Sequence, residues 1–340
     1  MDRNHEVITA GPLLDEKGEL AEPGWSRSLI KTYERSMIKA PKWRIKEWDY
    51  YIVMSDSFAG AFTISDDGYI GLQSVSLLEF GDEPWEHTET VLNAFPMGRI
   101  GLPASSSAGP TKYSDKRLKM RFDVVEGKRR IRCRFDRFCD GKPFECDITL
   151  RQPDMDSMVI ATPWDKKHAF YYNQKINTMR ASGYMKFNGK TYRFDPETDF
   201  GTLDWGRGVW TYDNTWFWGS GNADIGGNSF GFNIGYGFGN TSAATENVIF
   251  YNGKAHKIDD VEFHIPDDIM DKWTFTSSDG RFEMEFVPVL DRAACLDYKL
   301  IVSDQHQVFG RLSGKAVLDD GTVIGVHNKM CFAEKVHNRY

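Results

Sequence analysis

GGNSFGFNIGYGFGN, residues 226–240, is the stretch on which the fold turns. Its glycines invite comparison with a nucleotide loop, but a dinucleotide fingerprint needs a strand before it and a helix after it. Here the glycines alternate with Phe230, Phe232, Ile234, Tyr236 and Phe238. A period of two describes one strand with a large-residue face and a small-residue face. The glycine face makes space for a neighbouring strand or a ligand. Asn233 lies on that face as a candidate polar anchor. Glu246 follows in TSAATENVIF (241–250), where a carboxylate either caps a turn or enters the cavity.

The same texture extends in both directions. RIKEWDYYIVMS (44–55), KRLKMRFDVVEG (116–127) and GRFEMEFVPV (280–289) read as strands. Asn188-Gly189 and Asn252-Gly253 are hairpin-turn dipeptides, and Asp66-Asp67-Gly68 and Asp319-Asp320-Gly321 are further turns. A turn every ten or so residues with little helix predicts an all-β sandwich or barrel. The best helix candidate is SRSLIKTYERSMI (26–38), capped by Ser26 or Ser28, with Leu29, Ile30, Tyr33 and Ile38 roughly on one face. FPMGRIGLPASSSAGP (95–110) reads as a long loop. The two halves share a texture, which predicts an irregular arm over 1–25 and β domains over 26–176 and 177–340.

Composition narrows the partners. The 340 residues carry a formal net charge of -7, which argues against a general nucleic-acid or anionic-membrane partner. The basic stretch KRRIRCRFDR (128–137) alternates charge with Ile131, Cys133 and Phe135, as a strand with one solvated basic face does. Five cysteines, an odd number in no zinc spacing, and a polar N-terminus without an apolar core predict free thiols and a cytoplasmic location. No run of about 18 apolar residues is present to span a membrane. The eight histidines form no HxH or HExxH pattern, so neither a metal nor a cofactor is expected. The aromatic share, 14%, is high and suits a pocket for flat or greasy molecules.

Four of the ten tryptophans fall in TLDWGRGVWTYDNTWFWGSG (202–221). Strand alternation sends Trp216 and Trp218 to one face and Phe217 to the other, and makes Asp204 and Trp205 diverge. Arg207, between two glycines, stacks on a ring or pairs with a carboxylate, and Asp204 is the nearest one. A buried Asp204–Arg207 pair that fixes a strand corner is one reading. A site at which both groups meet a ligand is the other.

These residues carry a resemblance. GWSR (24–27), RIKEWDYY (44–51), FYYNQK (170–175), DWGRGVW (204–210), TEN (245–247) and the closing QVFG, SG, DDG and AE steps between 307 and 334 resemble, in order, the bacterial domain-of-unknown-function 2804 family. The likeness runs over nearly the whole chain and brings no settled activity with it. A more distant similarity is to the carotenoid hydratase, AttH-like and Svf-type group. It implies two lipocalin-like β domains in tandem with an apolar pocket. In the hydratases a Gly-x-x-W-x-Asp-His-Glu-Trp-Gly segment enters the cavity, and its aspartate is implicated in protonating an isoprenoid alkene. Asp204 occupies the matching place, but Trp205-Gly206-Arg207 stands where His-Glu should follow. Glu334 falls near the group's terminal glutamate.

The expected catalytic candidates are therefore Asp204, Arg207 and Glu246. The expected binding residues are Tyr172, Lys175, Trp205, Trp210, Tyr212, Trp216, Trp218, Asn233, Tyr236 and Glu334. Two functional classes follow. One is a cofactor-free hydratase, isomerase or cyclase acting on an isoprenoid, lipid or polyketide, in which a carboxyl buried among aromatics donates a proton. The other is a binding protein without chemistry. A carbohydrate-active sandwich is a weaker third, lacking a clear pair of catalytic carboxylates.

Overall fold

The computed structural model describes residues 3–297 and 302–339. Among them, two large antiparallel sheets hold almost all the regular structure, with 13 strands in one and nine in the other. The first runs in the order Trp85–Ala94, Ile70–Glu79, Phe58–Asp66, Ile45–Met54, Phe200–Val209, Phe170–Phe187, Lys142–Arg151, Lys128–Cys139, Leu118–Val125 and Thr111–Ser114. The second runs Lys254–Lys257, Val248–Tyr251, Asn228–Tyr236, Asp213–Ile225, Val323–Arg339, Val302–Val317, Phe282–Asp297, Trp273–Ser277 and Val261–His264.

Both sheets curl. In the first, His87 on one edge strand donates to the Phe138 carbonyl at 2.7 Å, and Asn93 donates to the Tyr113 hydroxyl at 3.0 Å. In the second, Tyr236 meets Phe263 edge-on across the curl at 5.6 Å. The result is two half-barrels in tandem, as the period-two pattern and its spaced turns predict. The Asn188-Gly189 and Asn252-Gly253 hairpins are present, each with both turn residues at positive φ, as a tight turn of this kind requires. The basic strand has its predicted alternation: Ile131, Cys133 and Phe135 are buried, while Arg130 and Arg132 pair with Asp147 and Asp123.

The predicted helix over 26–38 is not formed. Gly24–Ser26 pairs with Met158–Pro163, Lys31–Thr32 pairs with Gly11–Pro12, and the helical turn within 26–38 is Arg35–Met37, three residues of 3-10 helix. Edge pairing satisfies the backbone groups that a helix would have satisfied internally. It also puts Tyr33 into the first core, where its hydroxyl donates to Glu47 at 2.7 Å. Residue 176, the expected boundary, falls inside strand Phe170–Phe187. The change of sheet lies between Val209 and Asp213. At that point the strand's Asn177-Thr178 bulge reaches across to the second sheet: Asn177 Nδ2 donates to Ser220 at 2.8 Å.

Three apolar layers follow from this arrangement. The first barrel encloses one core, including Phe62, Phe144, Met185 and Trp205. The second encloses another, including Phe232, Trp273 and Phe286. A third lies between the outer faces of the two sheets, where Tyr50, Ile52, Tyr171, Trp218, Phe250 and Phe332 meet. The sheets pack back to back, so their central strands are buried on both faces; all ten residues of Phe200–Val209 are buried.

Candidate functional site

The cleft that best fits a small molecule opens where the back-to-back layer widens. It measures about 710 Å³ and draws its lining from both sheets. The first sheet contributes Trp48, Tyr50, Tyr171, Lys175 and Asp204, and the second contributes Trp216, Trp218, Gln307 and Glu334. Trp210 and Phe238, from the connecting segments, close the corner. The rings interlock: Trp210 meets Trp48 at 5.7 Å and Trp216 at 5.3 Å, both edge-on, and Tyr171 stacks on Phe238 at 4.9 Å. A second hollow, of about 640 Å³, sits at the end of the second barrel among Asp304, His306, Lys335 and His337. Among the described residues no aromatic ring other than those imidazoles lines it.

Local geometry makes room for these rings. A Cβ on Gly206 would stand 2.0 Å from the Trp48 ring, so the bare backbone at 206 is what lets Trp48 lie flat across its partner strand. Gly237, at φ +98, carries the chain out of the strand. Phe238 therefore does not share a face with Phe230, Phe232 and Ile234, which point into the second core. It crosses to the cleft instead.

The floor of the cleft is an ion pair. Lys175 and Asp204 stand directly opposite each other on neighbouring strands, with Nζ 2.8 Å from Oδ1. Asn173 Nδ2 donates to the same oxygen at 2.6 Å, and the lysine ammonium lies 3.9 Å over the Trp218 ring. Trp218 is itself held: its Nε1–H donates to Asn233 Oδ1 at 2.7 Å, and Asn233 Nδ2 donates to the Glu246 carbonyl at 2.9 Å. Glu334 accepts from Trp216 Nε1 at 3.0 Å and from Gln307 Nε2 at 3.1 Å. Burial raises its carboxyl above the ordinary glutamate value, against the opposing pull of the Trp216 hydrogen bond and of Lys175.

The expected Asp204–Arg207 pair does not exist. Three residues apart on a strand, the two side chains leave opposite faces. Arg207 points into the first barrel, fully buried, where it pairs with Asp49 at 3.0 Å and lies 4.3 Å over the Trp205 ring. It also donates to the carbonyls of Trp48 and Gly206, each at 2.8 Å, and of Pro103 at 2.7 Å. Pro103 belongs to the long loop 95–110, which Arg129 holds as well, through the Ser106 carbonyl at 2.8 Å. The two arginines thus fasten the loop against the first barrel.

Trp205 and Tyr172 share that inward face, meeting edge-on at 5.7 Å. Tyr172 donates to the Lys31 carbonyl at 2.8 Å. Tyr236 stacks on Phe217 at 4.7 Å beside the second core, and Tyr212 is half exposed in the turn between the sheets. None of these four lines the cleft. Among the expected residues, Lys175, Asp204, Trp210, Trp216, Trp218 and Glu334 line it, and Asn233 and Glu246 stand behind its wall. Trp48, Tyr50, Tyr171, Phe238 and Gln307 were not expected.

Gly235 supports the back wall. A Cβ there would meet Glu246 Oε1 at 2.2 Å and the Phe217 carbonyl oxygen at 2.7 Å. Gly235→Val is expected to cost roughly 1–3 kcal/mol by overpacking, read as a lowered urea midpoint. A midpoint equal to that of the native chain would show that the wall yields.

The profile of the domain of unknown function DUF2804 matches residues 4–340, and the chain belongs to that family. Among solved structures it is similar to an AttH-like protein of Nitrosomonas europaea, at 13% identity and a TM-score of 0.52, over 91% of this chain and 98% of that one. It is also similar to kievitone hydratase of Nectria haematococca, at 12% identity and a TM-score of 0.47, over 92% of this chain and 94% of that one. The first likeness establishes the tandem lipocalin-like fold. Comparison with curated protein sequences gives no match.

Proposed function

We propose that this protein binds a hydrophobic small molecule, of isoprenoid, lipid or polyketide type, in the cleft between its two sheets. One observation carries the reading: a hollow of about 710 Å³ walled by four tryptophans, with a buried Lys175–Asp204 pair at its floor. Apolar walls with a few convergent polar groups are the usual make-up of a small-molecule site. The ligand therefore has a flat or greasy body and a polar end. Asp204 Oδ1 is already engaged by Lys175 and Asn173.

A second reading, cofactor-free proton transfer such as hydration or isomerisation, is favoured by Glu334. That carboxyl is in the cleft wall, and burial favours its acid form. Native mass spectrometry of protein purified from its own host tests the first reading. A co-purified apolar molecule is expected, and it should be lost from a Trp216→Ala, Trp218→Ala double variant. Equal retention by that folded variant would place the ligand elsewhere. Turnover of the captured molecule, abolished in Glu334→Gln, would support the second reading.

A further inference from the structure

The cleft extends well beyond its aromatic floor. On the first sheet one row of directly opposed residues crosses successive strands: Lys175, Asp204, Tyr50, Thr63, Ser74 and Thr90. On the second sheet a row runs Trp218, Glu334, Gln307, Arg292. Opposed residues share a face of their sheet, and every member of both rows lines the cleft. At one end the Lys175 ammonium lies 3.9 Å over the Trp218 ring. Farther along, Arg292 reaches across the cleft, and its Nη1 donates to Ser76 Oγ at 2.8 Å. Trp218 and Arg292 are three strand spacings apart, roughly 14 Å.

The lining changes character along this length. Beyond Tyr50 the first sheet offers hydroxyls in place of rings: Thr63, Ser74 and Thr90 in the row, with Ser76 and Thr88 beside it. Arg292 is the cation set against them. It is half-buried, and the bond to Ser76 uses one of the five N–H donors of a guanidinium. Among the described residues it makes no ion pair, although Glu86 and Glu334 line the same cleft. Three other half-buried arginines each hold a carboxylate: Arg180 pairs with Asp224, Arg281 with Asp319 and Arg311 with Asp56. A charge drawn partly out of water without a countercharge is costly. A carboxylate on the ligand supplies the countercharge, in the two-pronged geometry that arginine favours. A phosphate dianion would bring a second negative charge towards Glu86 and Glu334.

We propose that the ligand is an amphiphilic carboxylic acid whose apolar body lies along the cleft from the tryptophans and whose carboxylate ends on Arg292, among the neighbouring hydroxyls. The inference rests on the cleft being the ligand site. It adds a second, acidic group to the ligand, at the far end from the polar group received at the Lys175–Asp204 floor. Arg292 is then the residue that selects acids over neutral amphiphiles of the same length. Binding is non-covalent, and no bond is made or broken.

Fluorescence titration at neutral pH with dansylaminoundecanoic acid, which has an aromatic head and a carboxylate at the far end of its chain, tests this against the methyl ester of the same probe. Native protein should bind the acid at least about tenfold more tightly than the ester, the worth of one charge-assisted contact. Added salt should weaken binding of the acid and not of the ester. Arg292→Gln, whose amide can still donate to Ser76, should bind the two probes alike, at the native affinity for the ester. Equal native affinities, or an acid preference that survives in Arg292→Gln, overturn the inference. Equal loss of both probes in folded Arg292→Gln also overturns it, because the arginine is then only a tie between the sheets. In each case the cleft reading stands if ester binding to the native chain is lost in the Trp216→Ala, Trp218→Ala variant. Failure of both probes to bind folded native protein overturns both readings. If Arg292→Gln does not fold, Arg292→Met takes its place.

Discussion

Replacing Arg207 by methionine is expected to lower the free energy of unfolding by roughly 3–5 kcal/mol. The side chain is fully buried and its guanidinium pairs with Asp49 at 3.0 Å. Methionine fills much of the same volume but leaves the Asp49 carboxylate charged, buried and dependent on the Thr111 hydroxyl, which donates to it at 2.6 Å. An uncompensated buried charge is what makes breaking such a pair so costly. The change also frees the Pro103 carbonyl, one of the two arginine fastenings on the loop 95–110. Urea denaturation measures the loss. A second change, Asp49→Leu, removes the stranded charge and should recover most of it, since apolar replacement of a buried pair is often neutral. A single-variant loss under about 1 kcal/mol would mean that the pair is not what holds this corner.

The placement of Arg207 shows how far the sequence could be read. The alternation in 226–240 and the spaced turn dipeptides were enough for an all-β chain of two barrels. The same rule, applied strictly, also contained the main correction. Asp204 and Arg207 are three apart, as are Tyr172 and Lys175, so on a strand neither pair can share a face. Grouping them by proximity in sequence, with Trp205, mixed the inward and outward faces of one strand. Keeping Asp204 and Lys175 requires Tyr171 rather than Tyr172, and both tyrosines were in plain view.

What alternation could not supply was the back-to-back packing. An outward face normally meets water and looks polar. Here Trp48, Tyr50, Tyr171 and Trp218 cover outward faces because a second sheet lies over them, so both faces of the central strands read as core. The cleft belongs to that seam and not to the interior of either barrel. Phe238 was misassigned for a local reason: the positive φ of Gly237 breaks the period one residue earlier. The helix over 26–38 failed because short edge pairings, invisible to a 3.6-residue pattern, claimed its backbone.

Asp204→Asn is expected to be costly as well, by roughly 3–5 kcal/mol, through the lysine it strands. The Lys175 ammonium is buried, 2.8 Å from Asp204 and 3.9 Å over the Trp218 ring. A neutral amide keeps the shape and can accept the Asn173 hydrogen bond, but it removes the countercharge. The attraction of a single indole face, about 2 kcal/mol when desolvated, does not make up the difference. Pairing the change with Lys175→Met should return most of the stability, because the floor becomes neutral and the methionine lies along Trp218 as the lysine stem does. Stability and function then come apart. If the ion pair serves only the fold, the folded double variant keeps the affinity for the co-purified ligand. If the pair receives the ligand's polar end, the double variant folds as well as the native chain but loses at least about tenfold in affinity, the worth of one charge-assisted hydrogen bond. The second outcome is the expected one. An ion pair is costly to keep among four tryptophans for stability alone, and an apolar floor would hold the two sheets together at least as well.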